Sequence, residues 1–293
     1  MPAPGEQRAG PVGAYGLRVD GAGAESGLLQ PVPATWPSVT LRVRTGTRRW
    51  RGDAVDDERA LLELHDGGGL EITRATSEAV VTLPPDAGRA GLAHPYLAPV
   101  AAVVSHWLGR ESFHAGAVVV AGAAWAVLGD GGAGKSSLLA RLALDGAAVL
   151  ADDMVVVDGS DVFAGPRALD LRGDAAAELE AGVALGKVGT RERWRVRLDP
   201  VPVRVPLRGW VTLAWGEELA LEPVRPPERL AVLVRYRAVR LPPADPGALL
   251  RLAALPGRTL RRPRSWSSLG PAAGLLLEGL GGPPARARRP GAA

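Results

Sequence analysis

Cysteine is absent from the 293 residues, so the chain can form neither a disulfide framework nor a thiolate metal centre. Asparagine is absent as well. That removes the NKxD motif with which GTPases read guanine, and the Asn that holds the second magnesium ion in eukaryote-type protein kinases. Glutamine occurs only at Gln7 and Gln30, ahead of any candidate site, which again disfavours a GTPase. Aromatic residues make up 4%, too few to stack nucleobases along a groove. The longest uncharged apolar run, Ala115 to Gly129, ends in a glycine-rich turn and falls short of the ~20 residues that cross a bilayer. The opening Met1-Pro-Ala-Pro-Gly lacks the basic start and apolar run of a signal peptide. Together these absences predict a cytoplasmic protein with no membrane partner.

Lysine is nearly absent too, standing only at Lys135 and Lys187 against 33 arginines, 35 minus 2. In a chain so biased toward Arg, each surviving Lys is a candidate for work that a planar guanidinium performs badly. Lys187, in Gly186-Lys187-Val188, is on that ground a candidate contact for substrate or phosphate. The net charge is only +4 despite a pI near 10.0. The Arg alternations at 41–51 and 191–198 are therefore expected to be strands with one solvated Arg face, not a nucleic-acid surface.

Hydrophobic residues, at 46%, recur between turn signals from about residue 40 to 280, enough for one large core or two modest ones. The Gly-, Pro-, Ala- and Arg-rich ends, 1–13 and 281–293, are expected to be flexible tails. Residues 14–92 read as a β-rich N-terminal portion of short alternating segments. From 93 to 280 an α/β unit is expected. It starts with a helix over 95–108, then two strands at 115–120 and 123–128. A helix over 136–144 and a strand from 147 follow. Further on, WRVRL, LRGWVTLAW and LAVLVRYRAV read as strands, and 175–181, 247–254 and 272–280 as helices.

Between the second of those strands and its helix lies Gly129-Asp130-Gly131-Gly132-Ala133-Gly134-Lys135-Ser136, a complete GxxxxGK[ST] phosphate loop. With Gly at 38 positions and Lys at two, composition alone produces such a match on the order of a few times per thousand chains. The glycines let backbone N–H groups curl around phosphate oxygens, and the following helix adds its positive end. Lys135 can reach the β and γ phosphates, and the Ser136 hydroxyl can ligate Mg²⁺. Seventeen residues after Lys135 an apolar strand ends in Asp152-Asp153. Delivered beside the loop by an adjacent parallel strand, paired carboxylates can hold Mg²⁺ or accept a proton. Elsewhere, such a pair marks a plain turn or helix cap about as often.

Phe113 to Asp158, FHAGAVVVAGAAWAVLGDGGAGKSSLLARLALDGAAVLADDMVVVD, resembles the catalytic core of the HPr serine kinase/phosphorylase family. The order is the same: a His opening a strand pair, the phosphate loop, a helix, a Gly, and a strand ending Ala-Asp-Asp. The resemblance implies an α/β fold with a P-loop kinase core over 93–280, similar to ATP-dependent phosphoenolpyruvate carboxykinases. It further implies ATP and Mg²⁺ as cofactors with the ATP phosphates on Gly131 to Ser137, catalytic roles for Lys135, His114, Asp152 and Asp153, and metal ligation by Ser136 and Asp152. Leu169-Asp170-Leu171-Arg172-Gly173 resembles a family signature that carries a Glu, and so adds Asp170 as a metal candidate; a surface Asp on a strand reads equally well. Shorter members of that lineage accompany peptide-modifying systems, and Pro256 to Trp266 is similar to their later segments. A serine on a protein or peptide is thus the implied acceptor, with a homo-oligomer left open. A non-catalytic ATP-binding regulatory module and a small-molecule kinase are the competing readings.

Overall fold

The computed structural model describes residues 10–64, 66–243 and 245–282. Most of both expected tails lies outside the described residues. The N-terminal tail expectation overreaches by Val12 and Gly13, which already pair in a strand. Eight strands come first: β1 (Val12–Ala14), β2 (Leu17–Asp20), β3 (Gln30–Pro31), β4 (Ser38–Thr45), β5 (Ala54–Val55), β6 (Arg59–Glu63), β7 (Gly69–Thr73) and β8 (Glu78–Leu83). They make one sheet in the order β3-β1-β2-β4-β8-β7-β6-β5. Tyr15 and Gly16, at φ 57° and 76°, close the β1–β2 hairpin with the positive dihedrals a two-residue turn needs. Helix α1 (Leu97–Trp107) shares one core with this sheet, through Leu97, Val100 and Ala101 beside Leu41, Ile72 and Val81.

The remainder is mixed α/β. Its elements in order are β9 (Glu111–Phe113), β10 (Ala115–Val120), β11 (Ala123–Leu128), α2 (Lys135–Leu144), β12 (Ala148–Ala151), β13 (Val155–Asp158), β14 (Asp161–Phe163) and β15 (Ala168–Leu171). Then come α3 (Gly173–Leu179), β16 (Val183–Val188), β17 (Arg191–Arg197), β18 (Arg204–Trp215), β19 (Ala220–Pro223), α4 (Pro226–Tyr236), α5 (Pro246–Ala254), β20 (Gly257–Arg262) and α6 (Leu269–Gly279). A nine-stranded sheet runs β12-β10-β11-β18-β14-β13-β9, with β20 beside β18 and β19 beside β20. Strands β15, β17 and β16 form a third sheet.

Side-chain alternation along β10 and β11 divides two cores, as the period of two in a strand dictates. Val118, Val120, Trp125 and Val127 pack with Leu138 and Leu142 of α2 and Leu276 of α6. Ala115, Ala117, Ala124 and Ala126 face the other way, toward Leu233 of α4 and Leu249 of α5. Each fully buried Leu of this kind contributes roughly 1.5–3 kcal/mol.

Three expectations need correction. The strands flanking the phosphate loop are parallel but not adjacent: β10 lies between them and is antiparallel to both. LAVLVRYRAV is not a strand: Leu230 to Tyr236 belong to α4, which starts at Pro226-Pro227, where Pro fits the first helical turn, and buries Leu233 and Tyr236 one turn apart on one face. The Arg face of 191–198 is not all solvated either. Arg195 on β17 lies opposite Asp170 on β15 and turns inward.

Arg195 is 6% exposed and holds Asp170 bidentately at 2.8 and 3.0 Å. The same guanidinium donates to Glu25 at 2.7 Å and to the carbonyls of Ala90 and His94 at 2.8 and 2.6 Å. One side chain thus ties the N-terminal portion to the third sheet. Arg195→Ala leaves the buried Asp170 with only Arg193, at 3.8 Å, so we expect a loss of about 3 kcal/mol, read as a lower denaturant midpoint at unchanged slope.

Candidate active site

The loop leaves the end of β11 and enters α2 with Gly132 and Gly134 at φ 84° and 85°, the left-handed region that favours glycine. Asp130, Gly131, Gly132 and the run from Gly134 to Ser137 line a cavity of about 1020 Å³. Gly129 and Ala133 do not; a Cβ on Gly129 would meet Ala133 at 3.1 Å, so these two pack the loop against itself. The Asp130 side chain anchors the loop sideways, accepting from Arg235 at 2.6 Å and from Tyr236 at 3.2 Å. Lys135 Nζ rests on the loop's own carbonyls, at 2.5 Å from Gly129 and 3.4 Å from Asp130. Burial pushes its ammonium below the ordinary value, against the pull of Asp152, Asp153 and Asp130.

Asp152 and Asp153 follow the last residue of β12 directly. Tyr15 donates to the Asp152 carbonyl at 3.2 Å. Arg167, itself 5% exposed, bonds the carbonyls of Val149 and Leu150. These contacts fix the strand end. The chain then reverses in a γ-turn, with the Met154 N–H on the Asp152 carbonyl at 2.8 Å and Asp153 at φ 64°. That turn is uncommon and strained for a non-glycine residue, the kind of backbone concentrated at functional sites.

The two carboxylates stand differently. Asp152 is 2% exposed, and its Oδ1 accepts from the Ser136 hydroxyl at 3.2 Å. Burial first and the neighbouring Asp153 second hold its carboxyl well above the usual range. Asp153 lines the cavity. Asp152→Asn keeps an acceptor for Ser136 and removes a buried charge, so we expect the metal-free protein to gain about 1 kcal/mol. A carboxyl raised in the folded state destabilises only where it ionises. The gain therefore disappears as pH falls through the ordinary carboxylate range and grows above it, which denaturation at about pH 5 and pH 8 would read.

His114 lines the same cavity. Desolvation by the cavity walls, then the Lys135 charge, hold its imidazole below the ordinary value, with Asp153 pulling the other way. Asp170 also lines it, but its carboxylate is taken by the Arg195 fork. Lys187 is exposed on β16 and not among the lining residues, although Arg191 and Arg193 across the hairpin are.

Sequence reasoning missed three features. Arg262 closes β20 at 4% exposure and stacks on Trp215 at 4.3 Å. It comes so close to the loop that a Cβ on Gly134 would sit 2.5 Å from its Nη2. Pro256 to Trp266, likened above to a late segment, includes β20 (Gly257–Arg262). The turn after β6 brings Glu63, Leu64 and Asp66 of the N-terminal sheet to the far wall. His94, 1% exposed, faces the acid pair with Nε2 at 3.6 Å from Asp153 and 3.9 Å from Asp152. No local pattern marks it in Ala93-His94-Pro95.

No family model matches the chain, and no curated protein matches it. Among solved structures, the HPr(Ser) kinase/phosphatase from Coxiella burnetii aligns with 58% of this chain and 93% of that one, at 15% identity and a TM-score of 0.28. A likeness of that size carries no argument about function, so the functional reading rests on the site itself. No helix among the described residues is long and apolar enough to cross a membrane.

Proposed function

We propose that this chain is an ATP-dependent kinase of the HPr serine kinase-like type that transfers the γ-phosphoryl group to a serine hydroxyl of a protein or peptide. The observation that carries the reading is the join between phosphate loop and acid pair: Ser136 Oγ on Asp152 Oδ1 at 3.2 Å, with Asp153 on the wall of the same cavity.

The residues present fit MgATP. Backbone N–H groups of the loop and the start of α2 suit the phosphates, and Ser136 with Asp152 would hold Mg²⁺, which when bound draws charge from the β and γ oxygens. Asp170, engaged by Arg195, would support the cavity wall and not the metal. Lys135 exchanges its two carbonyl contacts for phosphate oxygens. Arg262, on the cavity wall close to Gly134, would neutralise charge on the transferring group. Asp153 accepts the proton as the serine Oγ bonds to phosphorus and the bridging oxygen leaves with ADP. His114, neutral beside Lys135, orients the acceptor.

The cavity, about 1020 Å³, lies at the upper end of the range for ligand sites, which leaves room for an acceptor beside ATP, and its lining includes Glu63 at the end of β6 and Asp66 in the turn that follows. The test is incubation of the protein, ATP and Mg²⁺ with peptides and proteins of the source cell, followed by mass spectrometry. New phosphoserine supports the reading. Label in a metabolite makes the protein a small-molecule kinase, and ATP binding without transfer makes it a regulatory module.

A further inference from the structure

His94 is a buried imidazole without an occupation in the kinase reading. It is 1% exposed, and neither ring nitrogen has a hydrogen-bond partner among the described residues. Buried polar groups are normally paired, yet both acids of the β12 end lie just outside hydrogen-bond reach of Nε2, at 3.6 and 3.9 Å. One donor atom from each of His94, Asp152 and Asp153 falls within 4.8 Å of the other two. Donors bound at about 2.1 Å to one ion lie about 3.0 to 3.5 Å apart, so an ion would draw the three donors together, by less than about 1 Å for the two His94 pairs.

We infer that His94, Asp152 and Asp153 form a nitrogen-and-oxygen site for a first-row divalent transition ion such as Mn²⁺, separate from the Mg²⁺ position at Ser136. An imidazole ligand favours such ions over Mg²⁺, which prefers oxygen donors and keeps its waters. Asp152 is shared: Oδ1 faces Ser136, while Oδ2 faces His94. Asp153 contributes Oδ2 and keeps Oδ1 for the proton of the acceptor. The ligand segment is held from outside, because Arg195 grips the His94 carbonyl at 2.6 Å and Tyr15 the Asp152 carbonyl at 3.2 Å. An ion there would lock the γ-turn that aims Asp153.

The inference shares the acid pair with the kinase reading but needs no nucleotide, and its test is done without ATP. Mn²⁺ alone is titrated into the full chain, with free ion counted by electron paramagnetic resonance and nitrogen ligation read from ¹⁴N modulation of the spin echo. Expected are one tightly held Mn²⁺ with imidazole coupling in the wild type, and in His94→Gln loss of the coupling with an affinity drop of about 10-fold or more. In case His94→Gln fails to fold, the variant with His65, His106 and His114 all changed to Gln leaves His94 as the only histidine of the four and must keep the coupling. A wild type whose bound Mn²⁺ shows no nitrogen coupling, or a folded His94→Gln that retains it, overturns the site. Failure of ATP to bind in a separate titration would count against the kinase reading alone.

Discussion

Replacing Lys135 by Ala is expected to lower phosphoryl transfer by about 10² to 10³-fold and to weaken ATP binding in parallel. The ammonium now sits 2.5 Å from one loop carbonyl and 3.4 Å from the next, a resting position that anionic phosphate oxygens outcompete. Lys135→Arg is the sharper experiment. The chain has 33 arginines and two lysines, so Arg is the residue its composition would supply if Arg sufficed. A branched, planar guanidinium cannot enter the buried space that the ammonium fills, where Lys135 is 8% exposed. Lys135→Arg should therefore be nearly as impaired as Lys135→Ala, measured by calorimetric ATP titration and by transfer of labelled phosphate. Full turnover in Lys135→Arg would remove the phosphate loop from the chemistry.

Asp153→Asn should separate binding from chemistry. The amide cannot take the acceptor proton, so transfer is expected to drop about 10² to 10⁴-fold, while Asp152 still receives Ser136 and the loop is untouched. ATP affinity should then change by less than about threefold, since the loop backbone and Lys135 carry it. Unchanged transfer in this variant would exclude Asp153 as the base. Loss of transfer together with loss of ATP binding would point to collapse of the γ-turn instead, and the thermal melt distinguishes that case: Asn tolerates the φ of 64° at this position almost as well as Asp.

Much of the fold was legible because its periods are local. Strands β10 and β11 and helix α2 fall where alternation and the Lys135-Ser136 helix start predict them, α2 one residue earlier than expected. The failures are equally physical. LAVLVRYRAV is rich in β-branched and aromatic residues, so its composition favours a strand; two prolines at the start of α4 and a single apolar face decided for a helix. The Arg alternation of β17 is indistinguishable from a solvated face until the partner strand is known, and Asp170 opposite Arg195 turns it inward. No local pattern in the segment around Arg262 shows its neighbours, and parallel pairing of β20 with β18 carries it into the nine-stranded sheet beside the loop.

The sequence by itself determined the GxxxxGK[ST] pattern between a strand and a helix, because eight consecutive residues carry it and its left-handed turns need only the glycines at 132 and 134. It also determined that an apolar strand delivers two acids a fixed distance later. Only the tertiary structure decided that β10 stands between those strands, that Ser136 meets Asp152 but Asp170 is consumed by Arg195, and that His94 and Tyr15 converge on the acid pair from more than fifty residues upstream. These are contacts between segments far apart in the chain. Their register depends on which faces bury apolar surface together, a property of the packed whole that no local window contains.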